Sequence, residues 1–177
     1  MTHAPDTRPD VVRIALLGAG NVGAEVARVL LEQPEELARR IGARPELIGI
    51  AVRDTSAQRT VELPQQLLTT DADSLIDAAD AVVELTGGIE PARTRILRAL
   101  NAGKPVVSGN KALLARHGQE LHEAAEASGT TLNYEAAVAG AIPIVRPVLE
   151  SLSGDRIRRV LGIMNGTTNY ILDRMGE

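Results

Sequence analysis

The chain has 177 residues, 44% of them hydrophobic and 24% charged, which is typical of about one soluble globular domain. Its 19 basic and 23 acidic residues give a net charge of −4, so its charge favours neither nucleic acid nor an anionic membrane as a partner. With no Cys, Trp or Phe and only two Tyr, it cannot form disulfides, thiolate metal sites or an aromatic platform for single-stranded nucleic acid.

The first ten residues are predicted to be a disordered lead-in, because they are polar and contain two Pro. They lack the apolar core of a signal peptide. No later segment approaches the ~18–20 consecutive apolar residues of a membrane span. We therefore expect a cytoplasmic protein with no membrane partner.

Residues 11–135 alternate short apolar runs with amphipathic segments, which predicts an α/β domain with a parallel sheet. The predicted strands are Val11–Leu17, Leu47–Val52, Ala81–Leu85, Pro105–Ser108 and Thr131–Glu135. The polar segment Arg53–Pro64 is predicted to be a loop. The first predicted helix has the apolar face Val22, Val26, Val29 and Leu30 and ends near Pro34. The other predicted helices span Glu35–Ile41, Ser74–Ala79, Pro91 to Gly103, and Ala112–Ser128.

The pattern changes after residue 135. Val138–Leu152 predicts a helix kinked by Pro143 and Pro147. Arg156–Met164 predicts a strand, and Thr168–Met175 the start of a further helix. We expect residues 136–177 to be a connector and the first elements of a second α+β domain.

A glycine-rich turn follows the first predicted strand. The segment from Gly18 to Gly23 reads G-x-G-x-x-G and opens a predicted helix. Gly18 suits a tight turn, Gly20 lets the backbone approach a pyrophosphate, and Gly23 allows close packing of the helix on the strand. This context predicts a Rossmann-type doubly wound parallel sheet that binds a dinucleotide. A purely structural turn is the alternative.

The end of the second predicted strand indicates which dinucleotide is bound. NAD sites usually place an acidic residue there, whereas NADP sites place Arg near the 2′-phosphate. Here Arg53 comes first, Asp54 follows, and Arg59 lies in the next loop. This order favours NADP, held by Arg53 and Arg59, while Asp54 leaves NAD possible.

Two further segments follow predicted strands at the expected ligand edge of the sheet. Thr86, Gly87 and Gly88 are expected to pass beside the nicotinamide half of a dinucleotide. Lys111 stands at the start of a predicted helix, where its charge opposes the helix dipole. A residue that is unfavourable for its local structure is often present for function, so Lys111 is a candidate functional residue. A solvated Lys would also tolerate this small cost.

Together, four segments resemble the homoserine dehydrogenase family: Gly18–Gly23, Glu84–Pro91, Asn101–Leu114 and Gly162–Leu172. The resemblance implies NAD(P)-dependent interconversion of L-homoserine and L-aspartate 4-semialdehyde, in threonine and methionine biosynthesis. It implies cofactor contacts at Gly20, Asn21, Val22 and Arg53, and nicotinamide-end contacts at Thr86 and Lys111. Lys111 matches a catalytic lysine of the family.

The resemblance also implies two further sites. Backbone carbonyls of a loop similar to the family's monovalent-cation loop would bind Na⁺, namely those of Glu135, Val138, Gly140 and Ile142. Gly166 and Thr167 lie in a segment similar to the one that contacts the amino-acid end of homoserine. A packing turn rich in Ala and Gly and a strand-to-helix turn are the respective alternatives.

Members of the family continue through a substrate domain that supplies acidic substrate ligands and a second lysine. We therefore expect this chain to hold the cofactor half and one catalytic lysine, to be nearly inactive alone, and to form a homo-oligomer in the complete enzyme. Its partner is expected to be a small-molecule substrate. Another aldehyde or sugar oxidoreductase and a nucleotide-sensing module without chemistry are the alternative functions.

Overall fold

The computed structural model describes residues 9–140, 142–162 and 173–175. The chain divides into two compact units, the first ending at Asn133 and the second beginning at Tyr134. In the first unit, six strands form one parallel sheet: β1 (Val11–Leu17), β2 (Arg44–Ala51), β3 (Leu68–Thr69), β4 (Ala81–Glu84), β5 (Val106–Ser108) and β6 (Leu132–Asn133). Its helices are α1 (Asn21–Glu32), α2 (Pro34–Ile41), α3 (Ala72–Ala78), α4 (Ala92–Asn101) and α5 (Lys111–Ala127).

The strand order in the sheet is β3-β2-β1-β4-β5-β6. This is the doubly wound order of dinucleotide-binding Rossmann folds, whose ligands bind beyond the carboxyl ends of the strands where the order reverses. The reversal lies at β1, between β2 and β4. The predicted fold class is therefore confirmed.

Most predicted elements of the first unit are present with shifted ends. β1 has the predicted bounds, whereas β2 begins three residues before Leu47. α3 begins at Ala72 because the Asp71 side chain accepts a hydrogen bond from the N–H of Ser74 and caps the helix. The strand β3 was not predicted, because its two residues carry no periodic pattern.

The first helix packs on the sheet through its smallest residues. Gly23, Ala24 and Ala27 are buried, whereas Val22 is 63% exposed. The prediction that Val22 belongs to the core-facing stripe is therefore wrong. Little space is left where α1 packs on the sheet, so only small residues such as Gly and Ala fit at the contact.

The described residues of the second unit contain little regular structure. It has a 3₁₀ turn over Glu135–Ala137 and a π-helical segment over Pro147–Ser151. The helix predicted over Val138–Leu152 is therefore much shorter, since Pro143 and Pro147 lack the N–H groups that a longer helix requires. The strand predicted over Arg156–Met164 is wrong over its described part, because residues 156–162 are exposed and pair with no described strand.

The last strand of the first unit and the last predicted helix of the chain differ from their predicted bounds or are only partly described. The strand predicted over Thr131–Glu135 ends at Asn133, and Glu135 instead begins the 3₁₀ turn. Of the helix predicted over Thr168–Met175, only residues 173–175 lie in the described part, and they are helical. Over all described residues, no helix has the length and apolar character needed to cross a bilayer.

An ion pair fastens the start of β4 to β1. The Arg13 side chain donates to both carboxylate oxygens of Asp80, from Nε to Oδ2 at 3.0 Å and from Nη2 to Oδ1 at 2.6 Å. The Arg13 backbone N–H also donates to Oδ2 at 2.8 Å. These side-chain and backbone hydrogen bonds lower the pKa of Asp80 from 3.8 to about 2.

We expect the contribution of Asp80 to stability to depend on acid. Because the pKa of Asp80 is lower in the folded protein, the contribution is complete above about pH 4 and is lost as the pH falls toward 2. Asp80→Asn should lower the melting temperature at neutral pH, and its difference from the wild type should shrink through this range. The control is Glu62→Gln, at an exposed carboxylate without an ion-pair partner among the described residues. A difference independent of pH would contradict the assignment.

Candidate functional site

The glycine turn between β1 and α1 has room for no side chain at two positions. Gly18 has φ +97°, and a Cβ there would lie 2.8 Å from the backbone carbonyl of Leu85. A Cβ on Gly23 would lie 2.1 Å from the carbonyl oxygen of Gly18. The turn is thus wedged between the start of its own helix and the chain leaving β4.

Gly20 differs from the other two glycines of the motif. A Cβ on Gly20 would meet no atom within 4 Å, so the space beside it is open. Gly20 is also the N-cap of α1, whose first turn contains no acidic residue, and Asn21 and Val22 are exposed there. A helix start with free N–H groups, an open approach and no carboxylate is suited to bind a phosphate.

A cleft of about 820 Å³ lies over this turn, a size within the ~300–1,000 Å³ of known ligand pockets. One wall is formed by residues 51–54 and 57–59, which follow β2. The facing wall is formed by residues 85–88, 90, 91 and 95, which follow β4. Since β1 lies between β2 and β4 in the sheet, the cleft occupies the point where the strand order reverses.

Both acidic residues of the cleft are engaged with their own neighbours. The Asp54 carboxylate accepts hydrogen bonds from the hydroxyl and N–H of Ser56 at 2.6 and 2.8 Å, which lower the pKa of Asp54. The Glu90 carboxylate accepts a hydrogen bond from the Thr94 hydroxyl at 2.8 Å, which is the main cause of its lowered pKa. Neither acid neutralises an arginine across the cleft.

Three arginines line the same cleft. Arg59 holds its own loop, donating to the carbonyl oxygens of Asp54 at 2.6 Å and Ala57 at 2.8 Å. Arg53 and Arg95, on the two facing walls, have no side-chain partner within the described part of the chain. The cleft therefore offers positive charge to a ligand, as an anionic nucleotide requires.

A buried polar network lies beside the cleft, where β4 and β5 end. The fully buried Glu84 carboxylate accepts hydrogen bonds from Thr86 and Ser108. The Asn110 side chain donates to the carbonyl oxygen of Gly88 at 2.6 Å and accepts from the N–H of Leu113 at 3.1 Å. The network thus joins the Thr86–Gly88 loop to the start of α5.

Lys111 is the first residue of α5 and is exposed, directly after the N-cap Asn110. It does not line the cleft, whereas Thr86 and Gly87 do. The structure therefore brings together Gly18, Gly20, Arg53, Arg59, Thr86 and Gly87 around one cleft. Asn21, Val22 and Gly23 lie next to it at the start of α1, and Lys111 is linked to it through the Asn110 contact with Gly88.

The predicted cation loop lies in the second unit. The carbonyl oxygen of Glu135 accepts the N–H of Val138 at 3.1 Å. Ala139 and Gly140 both have positive φ, at +57° and +61°. The Glu135 carboxylate caps the following segment by accepting three backbone N–H groups, those of Ile144, Val145 and Arg146. Gly166 and Thr167 lie outside the described residues.

Two residues of the site were not predicted as such from the sequence. Arg95 is one of three arginines on α4, and no sequence pattern separates it from the other two. Glu84 carried a usable signal, because it is a charged residue at the end of an apolar strand, and a buried charge needs a compensating arrangement.

The comparisons with known proteins agree on one family. Residues 18–135 match the family model described as the NAD-binding domain of homoserine dehydrogenase, and residues 143–177 match the model described as homoserine dehydrogenase. The homoserine dehydrogenase of Corynebacterium glutamicum is 56% identical over 166 residues, which are 93% of this chain and 37% of that protein. The chain thus spans less than two fifths of this relative.

Solved structures agree with this assignment. The crystal structure of a homoserine dehydrogenase from Thiobacillus denitrificans matches with a TM-score of 0.81 and 39% identity, covering 94% of this chain and 39% of that one. A hyperthermophilic archaeal homoserine dehydrogenase in complex with NADPH shares the fold, with a TM-score of 0.75 and 22% identity over 93% of this chain and 56% of that one. The chain therefore belongs to the homoserine dehydrogenase family, and its residues 18–135 form the domain that binds the nicotinamide cofactor.

Proposed function

We propose that this chain is the NADP-binding part of an enzyme that interconverts L-homoserine and L-aspartate 4-semialdehyde by hydride transfer. The observation that carries the proposal is the cleft over the glycine turn, in which Arg53 and Arg95 have no partner among the described residues. Membership of the family supports the reaction. The charge of the cleft supports the phosphorylated form of the cofactor, because Arg suits its 2′-phosphate.

Different residues of the chain would bind different parts of the cofactor. Backbone N–H groups at Gly20, Asn21 and Val22 would bind the pyrophosphate. Thr86 and Gly87 would contact the nicotinamide half, and Arg53 the 2′-phosphate, beside a loop that Arg59 holds in shape. The nicotinamide supplies or accepts the hydride when it is bound.

Lys111 is proposed as the catalytic residue. Its ammonium group would donate a hydrogen bond to the substrate's carbonyl oxygen, orienting the carbonyl and stabilising negative charge that develops on the oxygen. The link from Asn110 to Gly88 supports this role, because it ties the start of α5 to the loop that borders the cleft. Gly166 and Thr167 are proposed to contact the amino-acid end of the substrate.

We also propose that carbonyls of Glu135, Val138, Gly140 and Ile142 bind Na⁺. Backbone oxygens suit a hard cation, and the carbonyl oxygen of Glu135 has a second lone pair beyond the one that accepts the Val138 N–H. Residues 136–177 are proposed to connect to, and begin, a substrate and dimerisation domain, which the family match of residues 143–177 supports. The homo-oligomeric state and the cytoplasmic location stay predictions.

The proposed activity is tested with the protein that carries this chain. Homoserine should reduce NADP⁺, and aspartate 4-semialdehyde should oxidise NADPH, with the nicotinamide absorbance as the readout. Other aldehydes and sugars serve as competing substrates. Turnover of one of these in preference to both homoserine and aspartate 4-semialdehyde would overturn the proposed substrate while leaving cofactor binding in place.

Cofactor choice gives a prediction at Arg53. Removing a charge-assisted hydrogen bond costs roughly 1.5–3 kcal/mol, so Arg53→Ala should weaken NADPH binding by about 10- to 100-fold. NADH has no 2′-phosphate, and its affinity should change by less than about twofold by the same reasoning. Calorimetric titration of the 177-residue chain measures both affinities. Arg39→Ala, on the exposed side of α2, is the matched control, and equal losses for both cofactors would reject the assignment.

A further inference from the structure

Glu84 is a buried carboxylate without a cation. Its side chain is fully buried, and no Lys, Arg or His in the described part of the chain pairs with it. Burying an unpaired charge is costly unless hydrogen bonds compensate for it. Here three donors do so: the N–H and hydroxyl of Thr86 at 2.8 and 2.6 Å from Oε1, and the Ser108 hydroxyl at 2.8 Å from Oε2.

The position of Glu84 in the sheet connects it to the cofactor cleft. Glu84 ends β4 and lies in register between Leu17 of β1 and Ser108 of β5. Thr86, two residues later, is exposed and lines the cleft. The carboxylate thus acts from inside the sheet on a hydroxyl at the ligand surface.

The direction of the Thr86 hydrogen bond determines what this hydroxyl can offer a ligand. A hydroxyl has one hydrogen and two lone pairs. The hydrogen of Thr86 is directed to Glu84, and its backbone N–H donates to the same oxygen. What remains toward the cleft is an acceptor, so Thr86 suits a ligand group that donates a hydrogen bond.

We propose that Glu84 is a positioning residue that fixes the Thr86 hydroxyl as an acceptor for a donor group of the bound cofactor. That donor is the N–H of the nicotinamide carboxamide or the O–H of a ribose, which share this chemistry. The inference deepens the proposed function and rests on it. It also explains why a carboxylate occupies a strand end that is otherwise apolar.

A double-mutant cycle on the 177-residue chain tests the inference. Thr86→Val removes the hydroxyl and keeps the shape, and Glu84→Leu removes the carboxylate that orients it. Each should weaken NADPH binding by roughly two- to tenfold, the effect of one hydrogen bond. The double variant should bind no more weakly than either single variant, because both changes remove the same interaction. Additive losses, or an unchanged affinity in Thr86→Val, would overturn the proposal.

Conservative variants separate positioning from general damage to the fold. Thr86→Ser keeps the hydroxyl and should bind NADPH like the wild type. Glu84→Gln can direct its amide oxygen to both donors of Thr86 and its amide nitrogen to Ser108, so it should lose stability but retain most of its NADPH affinity. A Glu84→Gln variant that is folded but binds as weakly as Thr86→Val would contradict the role. If Glu84→Leu does not fold, this comparison replaces the cycle.

The affinities of Thr86→Val for NADPH and two analogues identify the donor group of the cofactor. Adenosine 2′,5′-bisphosphate lacks the nicotinamide half, and nicotinic acid adenine dinucleotide phosphate has a carboxylate in place of the carboxamide. If Thr86→Val weakens binding of the bisphosphate, the donor is the adenosine ribose. If Thr86→Val weakens binding of NADPH but not of the carboxylate analogue or the bisphosphate, the donor is the carboxamide. Losses with both dinucleotides but not with the bisphosphate identify the nicotinamide ribose. All three patterns support the positioning role of Glu84, and the first would move the proposed contact of Thr86 from the nicotinamide half to the adenosine ribose.

The failure of the inference can be distinguished from the failure of the proposed function. Glu84→Leu should weaken the same ligands as Thr86→Val, and weakening of a ligand that Thr86→Val spares would overturn the positioning role alone. A wild-type chain that binds no nicotinamide nucleotide would overturn both proposals. The chain has no Trp, so NADPH fluorescence provides a second readout beside calorimetry.

Discussion

Gly23→Ala is expected to cost about 3 kcal/mol or more of folding free energy, at the upper end of overpacking effects. The added Cβ would lie 2.1 Å from the carbonyl oxygen of Gly18, and both atoms are held by rigid backbone. Either α1 moves away from β1 or the turn opens. In a chain of this size the melting temperature should fall by roughly 6–12 °C, and NADPH binding should be lost as well.

Gly20→Ala is the matched control for this experiment. A Cβ on Gly20 meets no protein atom within 4 Å, and its φ of −72° suits any residue. The stability should therefore change by less than about 1 kcal/mol, the cost of a poorer N-cap. NADPH affinity should nevertheless fall by about tenfold or more, because the methyl group occupies the path of the pyrophosphate. Gly20→Ala with unchanged affinity would reject this turn as the phosphate site.

Lys111→Ala is expected to have the largest effect on catalysis. If the ammonium group holds the reacting carbonyl oxygen, kcat in the protein that carries this chain should fall by roughly 10²–10³-fold, as when one preorganised donor is removed from an active site. The affinity for NADPH should change far less. Lys111→Arg keeps the charge but changes the donor geometry, so it should restore only part of the rate.

The only other lysine of the chain provides the control for Lys111. Lys104 Nζ donates to the backbone carbonyl oxygens of Ile76 and Asp77, at 2.7 and 2.6 Å, at the end of α3. Lys104→Ala should therefore lower the melting temperature and leave kcat within about twofold, because a structural contact contributes little to the transition state. Equal kcat in the wild type and Lys111→Ala would reject Lys111 as the catalytic residue, whereas no turnover in either would favour a nucleotide-sensing role without chemistry.

The local sequence pattern was sufficient to predict most strands and helices of the first unit. The apolar run of β1 and the glycines after it predict a strand, a tight turn and a helix, and all three are present at the predicted place. The reason is that buried parallel strands and amphipathic helices have distinct periods. The pattern was insufficient for β3, which is too short to show a period. It was also insufficient for residues 156–162, a predicted strand that pairs with no other strand in the described chain.

The arginine that lines the cleft from α4 could not be identified from local sequence pattern. α4 carries three arginines that are equivalent by sequence. Arg93 is engaged by Glu120 of α5 and Arg98 by Asp77 of α3, which leaves Arg95 to face the cleft. Glu120 and Asp77 are 27 and 21 positions away from these arginines in sequence, so the assignment required the packed structure.

The sequence by itself determined where the glycine turn lies, because the steric requirement for Gly23 arises from the carbonyl oxygen of Gly18, five residues earlier in the same turn. It also predicted that Arg53 would lie at the carboxyl edge of the sheet, where Arg53 lines the cleft two residues after the end of β2. Only the tertiary structure decided that Glu84 is fully buried against Ser108 of the neighbouring strand and that Arg95 has no ion-pair partner in the described chain. Both depend on which strands and helices become neighbours, and that is fixed by burial of the whole core rather than by any local pattern.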